Sequence, residues 1–329
     1  MKHLRYLILM AVAFFSVTSC TTDSKPFMPS VKGKAGEVLI IMEKKIWKSK
    51  IGDRFREVLY EHIPGLPQPE PMFEPMQIPS KAFAQIYKPH RNIIKTVISS
   101  EIKKAKIEVS KDIWATPQLV ISLSAPNKEE FLELFEESKT NILKHLLKAE
   151  RDRLVSYYKK YEESYIREAI EKKHKISLNF PKGYKLDVNK DNFVWISHET
   201  PRTSQGIFVY YYEYRDTSDF SRDKLVEVRD SILKENVPGP VPGSYMATER
   251  RTPLYFKEFL RKEKYTAEIR GLWRTENEFL GGPFVSYSTV DEKRNRLITV
   301  EGYVYAGKLH KRNYMRKMEA ILYTLKIID

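Results

Sequence analysis

Apolar positions follow two spacings along the chain, and each spacing predicts a type of element. Short apolar runs bounded by turn residues are typical of buried strands, and apolar residues at steps of three and four indicate helices. The first spacing predicts strands over 36–42, 83–87, 93–99, 118–124, 176–180, 193–198, 207–214, 265–273, 284–290 and 296–305. The second predicts helices over 51–62, 224–235 and 314–325, and a long helical region from 127 to about 173.

The long helical region has a clear start and an uncertain middle. Asn127 is a suitable N-cap, and Glu130 follows three residues later, as in a capping box. The apolar spacing weakens near 150–152, where the sequence reads Glu-Arg-Asp. The pattern therefore predicts either one helix to about Lys173 or two helices with a break at 150–152.

Prolines and glycines punctuate both halves in the same way. The first helix stops at Ile63-Pro64-Gly65, and prolines at 67, 69, 71, 75 and 79 then predict an extended, polyproline-like connection. Residues 53–65 (DRFREVLYEHIPG) resemble 227–239 (EVRDSILKENVPG), which suggests an internal repeat.

The order of elements predicts an α+β protein. We expect two tandem units, each an antiparallel sheet with helices packed on one face, joined by the long helical region. The predicted boundaries are 36–175 for the N-terminal domain and 176–329 for the C-terminal domain.

The first twenty residues have the pattern of an export signal. A basic start (Lys2, Arg5) precedes an apolar run from Leu4 to Val17, which is too short to cross a hydrocarbon core of roughly 30 Å. The sequence Val17-Thr18-Ser19-Cys20 resembles the lipobox of bacterial lipoproteins, and Cys20 is the only cysteine. That resemblance implies cleavage of 1–19, a diacylglycerol on the Cys20 thiol, and a polar tether over 20–35. The alternative is an ordinary signal peptide with an incidental cysteine.

Charge and location narrow the choice of partners. The net charge of +14 suggests anionic partners, but Lys and Arg are interleaved with Glu and Asp through most of the chain, which favours a solvated surface of mixed charge. Export makes nucleic acid the least expected partner. Thr21 after the cysteine favours the outer membrane, so we expect a lipid-anchored protein that faces the periplasm and contacts the membrane through Cys20.

No pattern of catalytic or metal-binding residues stands out, so neither catalytic residues, nor a metal, nor a cofactor is predicted. The seven histidines are scattered without metal-ligand spacing. The segment RGLWRTENEFLGGPF combines Arg270, Trp273 and Arg274, residue types that suit binding hot spots. Tyr211, in an aromatic strand, is a further candidate for ligand stacking. The alternative is that these side chains belong to the core and its turns.

Five segments with distinctive motifs are spread over the chain: Gly33–Val38, Pro64–Pro71, Arg270–Trp273, Phe279–Phe284 and Lys311–Tyr314. Together they resemble DUF4837, a family of uncharacterised Bacteroidota lipoproteins. The resemblance implies a cell-envelope setting and no catalytic residues. The segment Phe180–Tyr184 and the last helix are also loosely similar to PsbP/Mog1-like sandwiches.

The function expected from these patterns is a lipid-anchored, non-catalytic binding or scaffolding module with an envelope protein or glycan as its partner. One alternative is an envelope hydrolase of glycan or lipid that uses paired carboxylates, because acidic residues are plentiful and their pairing is invisible in sequence. Another is an adaptor that binds anionic lipid head groups.

Overall fold

A computed structural model describes residues 28–329. The predicted signal peptide and the lipid attachment at Cys20 lie outside these residues. The helices are α1 (Lys44–Trp47), α2 (Lys50–Leu59), α3 (Lys128–Lys160), α4 (Ser164–His174), α5 (Arg222–Asn236) and α6 (Arg312–Tyr323). The strands are β1 (Glu37–Ile41), β2 (Glu74–Ile78), β3 (Asn92–Ile98), β4 (Lys106–Lys111), β5 (Leu119–Ala125), β6 (Ile176–Ser177), β7 (Lys185–Asn189), β8 (Phe193–Glu199), β9 (Ser204–Glu213), β10 (Met246–Thr248), β11 (Tyr255–Arg261), β12 (Lys264–Thr275), β13 (Gly281–Asp291), β14 (Arg296–Tyr305) and β15 (Lys326–Ile327).

The α+β class is confirmed, and the two main sheets differ in topology. The first has the order β2-β1-β3-β5-β4, and only β4 is antiparallel to its neighbour. The second runs β10-β12-β13-β14-β9-β8-β7 with β11 beside β12, and its pairs are antiparallel. The prediction that the N-terminal sheet is antiparallel is therefore wrong, because only the pairing of β4 with β5 is antiparallel. Long connections, such as α1 and α2 between β1 and β2, let strands return in the same direction.

The first sheet carries helices on one face, as expected. Ile40, Ile94 and Ile121 pack against α2 and α3, where the rings of Phe55 and Phe135 stack with centroids 4.1 Å apart. Loop side chains cover its other face, including Phe83, Tyr87 and Trp114. The predicted strand over 83–87 is instead a turn region. Its apolar residues suggested a strand because their aromatic side chains pack onto the sheet from outside it.

The second sheet carries helices on both faces, unlike the expectation. One face packs against α4, α6 and the end of α3. The opposite face packs against α5, where Arg229 donates to both oxygens of Glu301 from β14 at 2.8 and 2.7 Å. A central antiparallel sheet with two apolar faces needs cover on both sides.

Helix α3 connects the two cores. Its 33 residues span roughly 50 Å. Phe131 and Phe135 lie in the first core and Tyr158 in the second. The helix does not break at 150–152, and α3 and α4 are separated at 161–163 instead. Glu150 interrupts the apolar spacing because it is buried in a polar cluster at the junction of the two halves.

Two segments lie in a different part of the fold from the one that the sequence predicted for them. Ile166 and Ile170 place α4 in the C-terminal core, although the predicted boundary was at 175. Ser30 and Lys32 form bridges to Thr116 and His90, so the end of the predicted tether lies against the first sheet.

The internal repeat is not a repeat of one fold, because the two sheets differ in strand direction and order. The predicted polyproline connection also ends early, since Pro75 lies in β2 at the edge of the first sheet, the position in a sheet that tolerates proline. No helix within 28–329 has both the length and the apolar character needed to span a membrane.

Candidate ligand-binding cleft at the junction of the two halves

The Pro-rich segment of the first half docks onto the last helix of the second. Glu70 accepts hydrogen bonds from the backbone N–H groups of Lys311 at 2.6 Å and Arg312 at 2.9 Å. Its side chain is 4% exposed. A carboxylate at a helix N-terminus satisfies free N–H groups and complements the helix dipole. Glu70 therefore joins the two halves.

Two arginines of α6 extend this contact. Arg312 donates to the carbonyl oxygens of Pro71 at 3.1 Å and Ala35 at 3.4 Å. Arg316 donates to the carbonyl of Met72, and burial lowers the pKa of Arg316 to about 10. Gly36 lies beside them with φ +85°, and a Cβ there would be 2.8 Å from Nη1 of Arg316. The close approach and the left-handed backbone both require glycine.

A second contact joins Gly65 to β12. Gly65 has φ +76°, and a Cβ there would be 3.0 Å from the Cβ of Arg270. The Arg270 side chain pairs with Glu268 and with Glu319 of α6, both at 2.6 Å. Arg270 thus links the second sheet to α6 beneath the junction, and its role there is structural.

A cleft of about 640 Å³ opens beside these contacts. Pro67 of the first half forms one edge, and the turn between β12 and β13 forms another. Trp273 lies at its inner wall, 5% exposed, with its indole N–H donating to the Val304 carbonyl at 3.3 Å. Phe279 is fully exposed in the turn. The cleft therefore combines a rigid aromatic wall with an uncovered aromatic side chain.

Arginine–glutamate pairs set the charge of the cleft. Arg251 donates to both carboxylate oxygens of Glu249, at 2.9 and 2.6 Å. These hydrogen bonds lower the pKa of Glu249 to about 2, so it is ionised at neutral pH. Arg274 pairs with Glu276. Both arginines remain accessible, with side chains 84% and 39% exposed.

The structure brings together some of the sequence-predicted residues. Trp273 and Arg274 line the cleft, and Arg270 lies three residues away on the same strand. Tyr211 lies elsewhere on the sheet. It pairs with Ile298 of β14, which pairs with Thr289 of β13. Trp273 instead pairs with Gly282 of β13. The distance along β13 between these two rows is roughly 23 Å.

Tyr211 has local partners of its own. Its hydroxyl lies 3.0 Å from Nδ1 of His174 and donates to the carbonyl of Asp191. The guanidinium of Arg296 lies 4.1 Å from the centre of its ring. These contacts hold the ring at the far end of the sheet from the cleft.

Sequence reasoning missed Glu249, Arg251 and Pro67. The pair at 249 and 251 carries no distinctive signal, because charges of both signs are interleaved throughout the chain. Pro67 belongs to the segment Pro64–Pro71. The resemblance of this segment to a family was the sequence signal that could have identified Pro67. Among residues 28–329, no group of three or more His, Cys, Asp or Glu side chains is arranged to hold a metal ion.

Residues 163–324 match a family model described as a domain of unknown function, DUF4837. The C-terminal half of the chain belongs to the DUF4837 family. Residues 31–159 match a second model, the domain of unknown function DUF8532. The family match therefore covers the C-terminal half, and the segments Gly33–Val38 and Pro64–Pro71 fall within the DUF8532 match instead.

No curated protein matches the sequence significantly. Several solved structures share weak similarity with the chain. The Ran-binding protein Mog1p of Saccharomyces cerevisiae is 11% identical, with a TM-score of 0.32 over 47% of this chain and 91% of its own. The human StarD13 (DLC2) lipid transfer and protein localization domain is 14% identical, with a TM-score of 0.23 over 49% of this chain and 92% of its own. Neither score supports a functional comparison.

Proposed function

We propose that this protein is a lipid-anchored, non-catalytic binding or scaffolding module of the cell envelope. In this proposal the diacylglycerol on Cys20 holds it to the outer membrane, facing the periplasm, and the junction cleft binds an envelope protein or glycan. The observation that carries the proposal is the accessible cleft with Phe279 and two arginines at the contact between the halves.

The cleft has the size and composition of a recognition site. Its volume of about 640 Å³ falls within the roughly 300–1,000 Å³ of typical ligand sites. Tryptophan, aromatic and arginine side chains are enriched among residues that dominate binding energy. Phe279 offers a large apolar surface, and its burial against a partner would be favourable.

The electrostatics of the cleft favour binding over hydrolysis. A glycosidase general acid must hold its proton near neutral pH, which requires a raised pKa. Arg251 instead lowers the pKa of Glu249 to about 2. Glu249 is therefore a poor general acid. Its two hydrogen bonds with Arg251 instead orient the exposed guanidinium of that residue.

The anchor would keep the cleft near the membrane. Among the described residues, the first bridge to the folded body is at Ser30, about ten residues after Cys20. Ten residues span at most roughly 35 Å. A partner of this module should therefore be a membrane-proximal envelope component.

Photo-crosslinking in cells tests the proposal. A photoreactive amino acid at position 279 should give a discrete adduct with one envelope component. The same group at position 86, where Ile86 is 74% exposed in the loop of the first half, serves as the control and should give none. Cys20→Ser should release the protein from the membrane fraction and remove the adduct.

Three results would contradict the proposal. The first is equal labelling from positions 279 and 86, and the second is membrane retention of Cys20→Ser. The third is hydrolysis of an envelope glycan or lipid by the purified protein that is lost in Glu249→Gln.

A further inference from the structure

A second cavity, which we call the Gln205 cavity, shares no lining residue with the junction cleft. It measures about 220 Å³ and lies between the end of α3, the turn before β7, the strands β8 and β9, and α6. The lining residues that matter here are Tyr158, Lys182, Tyr184, His198, Gln205 and Lys317.

Two buried polar atoms at this cavity lack a hydrogen-bond partner within the described part of the chain: Oε1 of Gln205 and Nδ1 of His198. Gln205 is 4% exposed. The two residues pair across β8 and β9, so their side chains point to the same face of the sheet. Buried polar groups in native proteins are almost always satisfied, which indicates that these two atoms serve a group that enters the cavity.

The walls combine aromatic rings with hydroxyl donors. The rings of Tyr184 and His198 lie with centroids 5.2 Å apart. Burial raises the pKa of Tyr158 and of Tyr184, so both hydroxyls stay protonated. The Tyr158 hydroxyl donates to the Lys317 carbonyl at 3.5 Å, and the Tyr184 hydroxyl is the donor that can serve a ligand. Such a lining suits a ligand with an apolar face and a rim of hydroxyl groups.

The two charged side chains that line the cavity have the same sign. Lys182 and Lys317 are exposed at its rim, and none of its described lining residues carries a carboxylate. An anionic group on the ligand would therefore meet two ammonium groups. The volume is below the roughly 300–1,000 Å³ typical of sites for larger ligands, which limits the ligand to a single ring.

We propose that the Gln205 cavity binds one pyranose ring that carries a single carboxylate or phosphate group. The amide of Gln205 and the imidazole of His198 bind ring hydroxyls. The aromatic walls contact the C–H face of the sugar, and Lys182 and Lys317 bind the acidic group.

Titration calorimetry of the purified full chain tests this proposal with four probes: glucuronate, glucose 6-phosphate, glucose and inorganic phosphate. At least one acidic sugar should bind ten or more times tighter than glucose, and the comparison of the two identifies carboxylate or phosphate as the preferred group. Inorganic phosphate should bind at least tenfold more weakly than the better acidic sugar.

Variants separate the cavity from general effects. Gln205→Leu should weaken acidic-sugar binding at least tenfold without lowering the melting temperature, because the residue it replaces is buried with an unsatisfied oxygen. Lys317→Ala should weaken binding of the acidic sugar but not of glucose. Lys172→Ala, an exposed lysine of α4 outside the cavity, is the matched control and should change neither.

Failure of both acidic sugars to bind would overturn the proposal and leave a cavity occupied by solvent. Equal binding of glucose and the acidic sugars, or of phosphate and glucose 6-phosphate, would overturn the assigned ligand class. Retained affinity in Gln205→Leu would overturn the assigned site. None of these results depends on the adduct at position 279, so this proposal and the proposed function fail separately.

Discussion

At the scale of single residues, the junction depends on buried charges with specific partners. Glu70 holds the first turn of α6, and Glu150 lies between Arg91 at 3.0 Å and Arg153 at 2.7 Å. Burial lowers the pKa of Arg153 to about 10. Buried charges of this kind are destabilising when they lose a partner. Glu70 therefore fixes how the two halves fit together, whereas the ion-pair partners of Glu150 belong to the first half.

Glu70→Gln is the sharpest test of the junction. The amide keeps one acceptor oxygen but presents an NH₂ group to a backbone N–H, and it loses the charge that complements the helix N-terminus. We expect a loss of about 1–3 kcal/mol in the free energy of unfolding, measured by urea denaturation.

Glu74→Gln is the matched control for this variant. Glu74 pairs with Arg312 at 2.7 Å, but its side chain is 52% exposed. Exposed ion pairs contribute little, so a loss below about 1 kcal/mol is expected. Equal losses in the two variants would contradict the role assigned to Glu70.

At the scale of elements, α3 is the part that both cores share. Its start has the predicted N-cap, because Oδ1 of Asn127 accepts a hydrogen bond from the Glu130 N–H at 2.9 Å, and the Glu130 carboxylate accepts from the side-chain amide of Asn127 at 2.9 Å rather than from its backbone N–H. Glu136 fixes α3 to α2, since Arg54 donates to its two carboxylate oxygens at 2.5 and 2.9 Å. These contacts, together with the Phe55–Phe135 stack, set the position of the helix on the first sheet.

The pairing of Glu136 predicts a pH-dependent contribution to stability. Hydrogen bonds from Arg54 and then Lys139 lower the pKa of Glu136 from 4.5 to about 2. A carboxylate with a lowered pKa stabilises the fold above its unfolded pKa, and this stabilisation is lost as pH falls from about 4.5 towards 2.

Glu136→Gln should therefore cost at most about 1 kcal/mol at pH 7, because the pair is partly exposed and screened by solvent. The difference from the unsubstituted protein should shrink to nothing near pH 2. Urea denaturation at several pH values measures it, with Glu137→Gln at the exposed neighbouring position as control. A difference that grew on acidification would contradict the pairing.

At the scale of the whole molecule, α3 and the junction make the two halves one unit. The four tryptophans are divided evenly, with Trp47 and Trp114 in the first half and Trp195 and Trp273 in the second. Each pair therefore reports on one half. Cooperative unfolding is expected where two regions share a buried interface.

Two variants test this cooperativity, each with the tryptophans of one half replaced by phenylalanine. In each variant the fluorescence midpoint in urea should coincide with the midpoint from far-UV circular dichroism of the same protein. The comparison within one variant removes the effect of the substitutions themselves. Separate midpoints would show that the halves unfold independently.

Much of the element pattern was predictable because apolar spacing is a local signal. The spacing predicted α2, α5, α6 and strands such as β1, β5 and β14 within a few residues. Strands β2 and β4 were missed because they bury at most one residue each and lack an apolar run. Edge strands bury little, so their sequences carry little of this signal.

The candidate site was predictable only in part. The residue types of Trp273 and Arg274 pointed to a binding segment, and both line the cleft. Tyr211 was grouped with them on residue type alone, and strand register separates it from them. Glu249 and Arg251 could not be found, because their significance depends on facing the turn between β12 and β13.

The sequence by itself determined the α+β class, the main helices, the capping of α3 and membership of the family, because each depends on residues close together in the chain or on motifs. Only the tertiary structure decided which strands run parallel, how α3 spans both cores, and where the cleft lies. Glu70 and Lys311 meet across 241 positions of sequence. Contacts at such separation depend on packing of complete elements, and no local pattern specifies them.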